Sequence, residues 1–303
     1  MSLMRCLVVI FLKRIQNNKT VTKIKCIHIL STGPSRLHGK NEYSPDCLEV
    51  ASMVLSALLW REHNGSLRLY TDKTAFDFFE KNKLLNLWDD GIDVNVVESI
   101  PDNIHQGIFW AAAKIFALRD AKAPVAMIDN DLFLWKKIPD FVFEPGITVL
   151  HPEDLWNCYV TKDRLSIPPG YSFNASWDWN IMPLNTACDY IQDDVFKNRF
   201  VNESTKFMMN NTGRDAHPSS QMVFAEQRIL AMCANAEGIP VHYLASNPFD
   251  EGNALFTHIW GAKDIARQNC QKMESIMSAI LTAIKKLSED YYQLIKNNLI
   301  KDY

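Results

Sequence analysis

The stretch 125–135, VAMIDNDLFLW, consists of two apolar runs that are separated by two aspartates. The first run predicts a buried strand of a parallel sheet. Because an unpaired charge is costly to bury, we expect Asp129 and Asp131 at the carboxyl end of that strand, where open α/β sheets bind their ligands. Two carboxylates that can share a cation predict a divalent-metal site and chemistry on a phosphorylated substrate. The alternative is a strand-to-loop turn that uses aspartate side chains.

Composition and charge are those of an ordinary globular protein. The 303 residues are 47% hydrophobic and 22% charged, and the formal net charge is −3. This balance offers no basic surface for nucleic acid, so no nucleic-acid partner is expected. The seven cysteines are scattered, without a CxxC pair. They indicate free thiols in a reducing compartment, and a cytoplasmic location is predicted.

Strand-like and helix-like segments alternate on both sides of the opening stretch. Strands are predicted at 24–30, 67–70, 93–97 and 239–244, and helices at 47–60, 74–83, 109–120 and 219–237. The segment 151–180 is predicted to be rich in loops, and 200–218 is a candidate mobile loop. Alternation of this kind predicts an α/β fold with a mostly parallel, Rossmann-like sheet flanked by helices.

Three parts of the chain are distinguished by composition. Residues 1–23 form a predicted N-terminal extension, whose apolar run at 7–12 is too short to span a bilayer. Residues 24–264 form the α/β domain. Residues 265–303 have helical apolar spacing and are predicted to be a helical tail packed on the domain. Lysines in this tail leave open a peripheral membrane association at the inner membrane face.

The order of these motifs resembles the nucleotide-sugar half of GT-A-fold glycosyltransferases. The resemblance rests on 70–72, on the helix that carries Lys114 and Arg119, and on 128–131. Asp129-Asn130-Asp131 corresponds to the Asp-x-Asp motif of that fold. Lys114 and Arg119 are five apart on one helix, so only one of them is expected to face the donor, and Lys114 is preferred. The resemblance covers about 24–264 and is closest to uncharacterised bacterial glycosyltransferase-like proteins.

A second element, 258–263 (HIWGAK), is similar to the C-terminal His-x-x-Gly-x-x-Lys element of glycogenin-like, retaining enzymes, with one residue fewer. In those enzymes the histidine is a third metal ligand, and the glycine and lysine contact the diphosphate. The resemblance therefore implies that Mn²⁺ or Mg²⁺ is bound by Asp129, Asp131 and His258. The implied donor-binding residues are Thr32, Asp72, Lys114, Asn130, Gly261 and Lys263.

Three candidate catalytic residues lie in the second half of the chain. Glu226, in the Ala-Glu-Gln segment 225–227, resembles a Glu-Gln pair that begins a helix in related families. It could be a general base, a residue that positions the sugar, or a helix-start carboxylate. Asn180 and Asp178 fall where the relatives approach donor sugar and acceptor. Three tryptophans could stack on sugars or belong to the core, namely Trp156, Trp177 and Trp179.

The leading hypothesis is a metal-dependent glycosyltransferase of the hexosyl type, active in polysaccharide biosynthesis. It would move a sugar from a nucleotide diphosphate, UDP in the first instance, to a hydroxyl of a glycan or lipid-linked acceptor, and the histidine element favours retention. A metal-dependent phosphohydrolase is the first alternative, but its Asp-x-Asp is expected on the first strand and followed by Thr or Val. The second alternative is a non-catalytic carbohydrate-binding protein of the same fold, against which the acid pair and His258 argue.

Overall fold

The computed structural model describes residues 23–37, 42–213, 217–247 and 254–299, so the predicted N-terminal extension lies outside the described residues except for Lys23. Nine strands are present in this part of the chain: β1 Cys26–Leu30, β2 Leu67–Thr71, β3 Ile92–Asp93, β4 Val125–Ile128, β5 Leu132–Leu134, β6 Ile147–Val149, β7 Cys188–Ile191, β8 Val241–Tyr243 and β9 Phe256–His258.

Helices cover both faces of the sheet. In the described ranges they are α1 Gly33–Arg36, α2 Cys47–His63, α3 Lys73–Lys81, α4 Asn95–Glu98, α5 Ala112–Asp120, α6 Asp194–Met208, α7 Ser220–Val223, α8 Ile229–Ala236, α9 Trp260–Arg267, α10 Cys270–Leu287 and α11 Glu289–Asn298. A π-helical turn, Phe224–Arg228, joins α7 to α8. None of the described helices is long and apolar enough to cross a membrane.

Seven strands form the central sheet in the order β3-β2-β1-β4-β7-β6-β8. The neighbours β1–β2, β1–β4, β2–β3 and β6–β8 are parallel, whereas β7 runs antiparallel to both β4 and β6. The predicted α/β fold with a mostly parallel sheet flanked by helices is therefore confirmed. As in other parallel sheets, the helices that connect the strands bury both faces.

A separate two-stranded ribbon pairs β5 with β9. The strands are antiparallel, and Leu132 is opposite His258 while Leu134 is opposite Phe256. Trp135 Nε1 donates a hydrogen bond to Thr257 Oγ1 at 2.9 Å and supports the same register. This ribbon carries His258 to the end of β4, across more than a hundred residues of sequence.

Two apolar cores lie on opposite faces of the sheet. One contains most of α2, which is buried nearly all round, together with Ile280 and Ile284 of α10 and Ile295 of α11. The other is built mainly from α5, α6 and α8. Alternate residues of β1 divide between the cores, with Cys26 in the first and Ile27 in the second. His28 therefore points toward the α2 side.

The prediction of a strand at 93–97 is wrong. Strand β3 ends at Asp93, and the following residues form the short helix α4. The reason is local, because Asp93 Oδ1 accepts hydrogen bonds from the backbone N–H groups of Asn95 and Val96, each at 2.9 Å. A carboxylate that binds the first free amides favours the start of a helix over a continued strand.

The candidate mobile loop at 200–218 is also wrong over its first half, which belongs to helix α6. Asn202 and Lys206 face outward, while Phe200, Val201 and Phe207 are buried in the core. This spacing is that of an amphipathic helix, and the Asn, Ser and Thr content masked it. The segment 151–180 contains only a 3₁₀ turn, Lys162–Arg164, in agreement with the loop prediction.

Candidate metal site and adjoining cavity

The turn between β4 and β5 presents the two aspartates. Asp129 N donates to Ala187 O at 2.8 Å, and Leu132 N donates to Asp129 O at 3.1 Å, which closes a tight turn. Asn130 Nδ2 donates to Ile29 O at 2.8 Å and ties the turn to the end of β1. Ile259 N donates to Asp131 O at 3.3 Å, so the ribbon is anchored on the same turn. The carboxyl end of β4 is therefore held by hydrogen bonds to three separate segments.

Three potential metal ligands converge at this turn. His258 Nε2 lies 3.4 Å from Asp131 Oδ1 and 3.9 Å from Asp129 Oδ2. The ligand atoms of the three residues lie within 4.8 Å of one another. Nε2 of His258 is buried and has no partner of hydrogen-bond geometry among the described residues. A buried imidazole nitrogen without a partner, beside two carboxylates, is a donor set that fits Mn²⁺ and also Mg²⁺.

Two lysines form ion pairs with these aspartates, each with one carboxylate oxygen. Lys114 Nζ lies 2.6 Å from Asp129 Oδ1, and Lys263 Nζ lies 2.7 Å from Asp131 Oδ2. Each aspartate thus has one oxygen on a lysine and the other toward His258. Burial alone would raise the pKa of Asp131, but His258 and Lys263 lower it overall to well below its ordinary value. The carboxyl group of Asp131 is therefore ionised at neutral pH.

Glu226 holds Lys114 from the opposite side. Its Oε1 lies 2.8 Å from Lys114 Nζ and accepts a hydrogen bond from Thr186 Oγ1 at 2.7 Å. Burial would lower the pKa of Lys114, but the charges of Asp129 and Glu226 raise it overall. Lys114 is therefore a fixed cation that joins Asp129, in the turn after β4, to the π-helical turn.

Two consecutive side chains of the π-helical turn face the same cavity. Glu226 and Gln227 both line the cavity, and Ser204 Oγ donates to Ala225 O at 2.7 Å within the turn. Tyr159 OH donates a short hydrogen bond to Gln227 Oε1. Single π-helical turns inside α-helices frequently occur at functional sites. Here the turn aims an acid and an amide at one space.

The cavity has a volume of about 680 Å³ and adjoins Asp129 and His258. This volume lies within the range of small-molecule sites, about 300–1,000 Å³. Its polar lining is Ser31, Lys114, Asp129, His151, Glu153, Tyr159, Asn185, Thr186, Glu226, Gln227 and His258. Asn185 Nδ2 donates to Glu153 Oε1 at 2.6 Å, so part of this lining is already ordered. The arrangement can hold a polar ligand, one end of which would lie beside Asp129 and His258.

Tryptophans border the cavity, but only one of those considered from the sequence is among them. Trp156 lines it and is 49% exposed. Trp177 is buried, and Trp179 stacks on Phe224 with ring centroids 5.5 Å apart. These two belong to the core. Trp110 and Trp260, which sequence reasoning missed, also line the cavity and are 41% and 66% exposed. They could have been identified from their positions in the sequence, because Trp110 lies just before the Lys114 helix and Trp260 just after His258.

The predicted donor-binding pair Thr32 and Asp72 lies inside the fold. Asp72 is fully buried, and its Oδ2 accepts hydrogen bonds from Thr32 N at 2.5 Å and Thr32 Oγ1 at 2.9 Å. Its Oδ1 accepts from Ala75 N at 3.0 Å and caps helix α3. Neither residue lines the cavity. In this structure Asp72 orders the loop after β1.

Several other predicted site residues are not brought to the cavity wall. Asp178 Oδ1 accepts from Asn180 N at 2.9 Å in an exposed turn, and neither residue lines the cavity. Gly261 is the second residue of α9, with open space where a Cβ would stand. Lys114 lines the cavity, whereas Arg119 does not, and the Arg119 guanidinium lies 4.2 Å from the centroid of the Phe116 ring.

Sequence reasoning also missed Asp189, which lies on β7 opposite Met127 of β4. It is fully buried, and neither carboxylate oxygen has a hydrogen-bond partner among the described residues. Burial raises the pKa of Asp189 well above its ordinary value, Glu226 and Asp129 add to this shift, and Lys114 opposes it. The environment of Asp189 therefore favours its neutral form. A lone acid in the short run CDYI was the available signal.

The molecule is thus an α/β protein with a carboxylate-histidine cluster at the edge of its sheet. Residues 35–303 match a family of unknown function, DUF6734, and the chain belongs to that family. No curated protein sequence matches the chain.

Solved structures share part of the architecture at low identity. One, described as PaToxG glycosyltransferase, has a TM-score of 0.41 and 12% identity, covering 91% of this chain and 87% of that chain. Mouse xyloside xylosyltransferase 1, apo form, has a TM-score of 0.37 and 12% identity, covering 73% and 85%. The 4-diphosphocytidyl-2C-methyl-D-erythritol synthase from Anaerococcus prevotii DSM 20548 has a TM-score of 0.38 and 13% identity, covering 82% and 96%. The roles implied by the Asp-x-Asp and histidine elements stay predictions.

Proposed function

We propose that the protein is a divalent-metal-dependent glycosyltransferase that uses a nucleotide-diphosphate sugar as donor. The observation that carries this proposal is the convergence of Asp129, Asp131 and His258 beside a cavity of about 680 Å³. A cation of the Mn²⁺ or Mg²⁺ type, held by these three residues, would act as a Lewis acid on the leaving diphosphate.

The two lysines suit the same leaving group. Lys114 and Lys263 place ammonium groups against the outer oxygens of the two aspartates, one on each side of the cluster. In the free protein they neutralise the aspartates. When a diphosphate approaches, the same ammonium groups can donate to its oxygens, because lysine is a mobile point charge with three donors. Charge at the site is thereby balanced both before and after the donor binds.

We assign Glu226 to positioning rather than to proton abstraction. Its Oε1 is shared by Lys114 and Thr186, which fixes the carboxylate and, through it, the lysine. A general base needs a free oxygen within hydrogen-bond reach of the acceptor hydroxyl. The contacts of Oε1 with Lys114 and Thr186 are those of a group that holds a cation in place. This assignment agrees with the retention of configuration that the histidine element favours.

The rest of the cavity suits a sugar and a nucleoside. The exposed faces of Trp110, Trp156 and Trp260 offer flat apolar surfaces, and Glu153, Asn185 and Gln227 offer hydrogen-bonding groups. We propose a UDP-sugar as donor and a glycan or lipid-linked hydroxyl as acceptor.

Thermal unfolding with UDP, GDP and CDP, each with and without Mn²⁺, tests the proposal. One nucleotide should raise the melting temperature only when Mn²⁺ is present, because a ligand that binds only the folded state stabilises it. Asp131→Asn should abolish this response and keep the wild-type melting temperature within a few degrees. No response to any nucleotide would overturn the donor assignment, and release of inorganic phosphate from simple phosphate esters would favour a phosphohydrolase.

A further inference from the structure

A buried chain of polar side chains lies behind the metal turn, on the face of the sheet that α2 covers. It runs from Trp88 through His28 of β1 to Ser56 of α2 and ends on the backbone carbonyl of Asp129. The three side-chain-bearing residues are at most 3% exposed. None of Trp88, His28 and Ser56 lines the cavity, so these three side chains lie outside the substrate side of the site.

The chemistry of the groups fixes the direction of each hydrogen bond. Ser56 Oγ lies 3.3 Å from Asp129 O, and since a carbonyl only accepts, the Ser56 hydroxyl must donate there. Trp88 Nε1 lies 3.4 Å from His28 Nδ1, and since an indole only donates, Nδ1 must accept. His28 Nε2 lies 3.2 Å from Ser56 Oγ and must therefore carry the proton. In the opposite tautomer two N–H groups would face each other at Nδ1.

The end of this chain is the group that sets the metal turn. Asp129 O also accepts the backbone N–H of Leu132, so the two donors together fix the plane of the Asp129–Asn130 peptide. That plane determines where the side chains of Asn130 and Asp131 point. Partners behind the ligands commonly orient metal ligands, and sites function when their groups are held within about 0.5 Å.

We propose that Trp88, His28 and Ser56 form a directional hydrogen-bond chain that positions the Asp129–Asp131 turn for metal binding. Ser56 and His28 are positioning residues, because they act on the ligands through the backbone and touch neither cavity nor metal. This inference rests on the proposed metal site. Burial lowers the pKa of His28 to about 3, in agreement with the neutral imidazole that the hydrogen bonds require.

A matched pair of variants on one helix tests the proposal. Ser52 lies one turn before Ser56, is equally buried, and donates only to Leu48 O of its own helix at 2.6 Å. Ser56→Ala should raise the dissociation constant for Mn²⁺ alone about tenfold. Ser52→Ala should leave it within twofold, although both variants lose a buried hydroxyl. Isothermal titration calorimetry with MnCl₂ gives both constants, and equal constants in the two variants would overturn the proposal.

Variants at His28 test the direction of the chain. His28→Gln keeps an N–H donor near the position of Nε2 and should bind Mn²⁺ within threefold of wild type, whereas His28→Leu should resemble Ser56→Ala. Nitrogen-15 NMR of the wild-type imidazole should show a protonated Nε2 and an unprotonated Nδ1. A protonated Nδ1 would contradict the chain, whatever the metal affinity.

The outcomes separate this inference from the proposed function. If wild type binds no Mn²⁺, the metal site and the positioning role both fail. If wild type binds Mn²⁺ and Ser56→Ala binds it equally well, only the positioning role fails. If Mn²⁺ binding follows the expected pattern but no nucleotide responds, the positioning role stands and the donor assignment fails.

Discussion

Asp72 and Asp129 occupy equivalent positions in the fold, but their side chains lie in different environments. Each follows a buried strand, β2 or β4, and these strands lie on either side of β1 at the same edge of the sheet. Asp72 is fully buried and accepts hydrogen bonds from Thr32 and from Ala75 N at the start of α3. Asp129 meets a lysine on one oxygen and faces His258 with the other. A place at the sheet edge therefore does not by itself make a carboxylate a ligand.

The two turns differ in the groups that donate hydrogen bonds to, or form ion pairs with, their carboxylates. Asp72 accepts hydrogen bonds from the backbone N–H groups of Thr32 and Ala75 and from the Thr32 hydroxyl, and these donors are present whether or not a ligand binds. At the other turn, Asp129 and Asp131 are brought together by the β5–β9 ribbon and depend on the ammonium groups of Lys114 and Lys263. Two neighbouring carboxylates repel each other unless cations lie nearby. The second turn is therefore built to hold positive charge.

The largest effect should come from Asp131→Asn, which keeps the shape of the side chain and removes its charge. We expect the dissociation constant for Mn²⁺ to rise at least ~100-fold, which is about 2.7 kcal/mol of binding free energy. Asp72→Asn is the matched control, and its Mn²⁺ affinity should stay within twofold of wild type. Titration calorimetry measures both dissociation constants. A large loss of Mn²⁺ affinity in Asp72→Asn would contradict the claim that Asp131, and not Asp72, belongs to the metal site.

The converse prediction concerns folding. Asp72→Asn should lower the free energy of unfolding by about 2 kcal/mol, because one amide group replaces a carboxylate that caps a helix and accepts three buried hydrogen bonds. Urea unfolding followed by circular dichroism measures it. Asp131→Asn should change stability by less than half as much, since its ion-pair partner Lys263 is partly exposed and can be solvated by water. Equal destabilisation in both variants would contradict the comparison.

A third difference should appear in acid, through His28 behind the metal turn. The pKa of His28 is about 3 in the folded state and about 6.5 in the unfolded chain, so below pH 6.5 only the unfolded chain takes up this proton. The stability that neutral His28 allows is thus lost as pH falls from 6.5 toward 3, by up to about 1.4 kcal/mol per pH unit. His28→Gln should lose stability less steeply between pH 6 and 4. If the free energy of unfolding fell equally with pH in wild type and in His28→Gln, this contribution would be ruled out.

The smallest effect should follow Lys263→Met, which keeps the aliphatic stem. Its partly exposed ion pair with Asp131 should contribute no more than about 1 kcal/mol to folding. In the absence of nucleotide, Mn²⁺ affinity should rise two- to threefold, because the lysine no longer competes for Asp131. With nucleotide present, affinity should fall instead. A loss of Mn²⁺ affinity without nucleotide would show that Lys263 supports the metal ligands directly.

The sequence predicted the parts of this comparison that depend on neighbouring residues. The apolar runs of β1, β2 and β4 and of helix α2 are long enough to identify, and they set the sheet edge correctly. The capping role of Asp72 was also readable, since an aspartate just before a helical segment is a start signal. The resemblance instead placed Asp72 among the donor-binding residues.

The features that sequence reasoning missed depend on contacts between distant segments. Strands β6, β7 and β9 have three or four residues each, too few to show a period, and β7 contains the buried Asp189. Both aspartates also have partners that are distant in the sequence, such as Thr32 for Asp72 and His258 for Asp129. The acid pair was predicted as a metal site from its place after an apolar strand, whereas His258 could be added only through the family resemblance, and the Trp88–His28–Ser56 chain left no motif.

Pulsed electron paramagnetic resonance of the Mn²⁺-loaded protein tests the central claim most directly, because it detects nitrogen bound to the ion. Wild type should show one directly coordinated imidazole nitrogen, and His258→Ala should lose that signal while Asp129 and Asp131 still bind Mn²⁺ weakly. Coordination by oxygen alone in wild type, or a nitrogen signal that survives His258→Ala, would contradict the assignment of Asp129, Asp131 and His258 as one metal site.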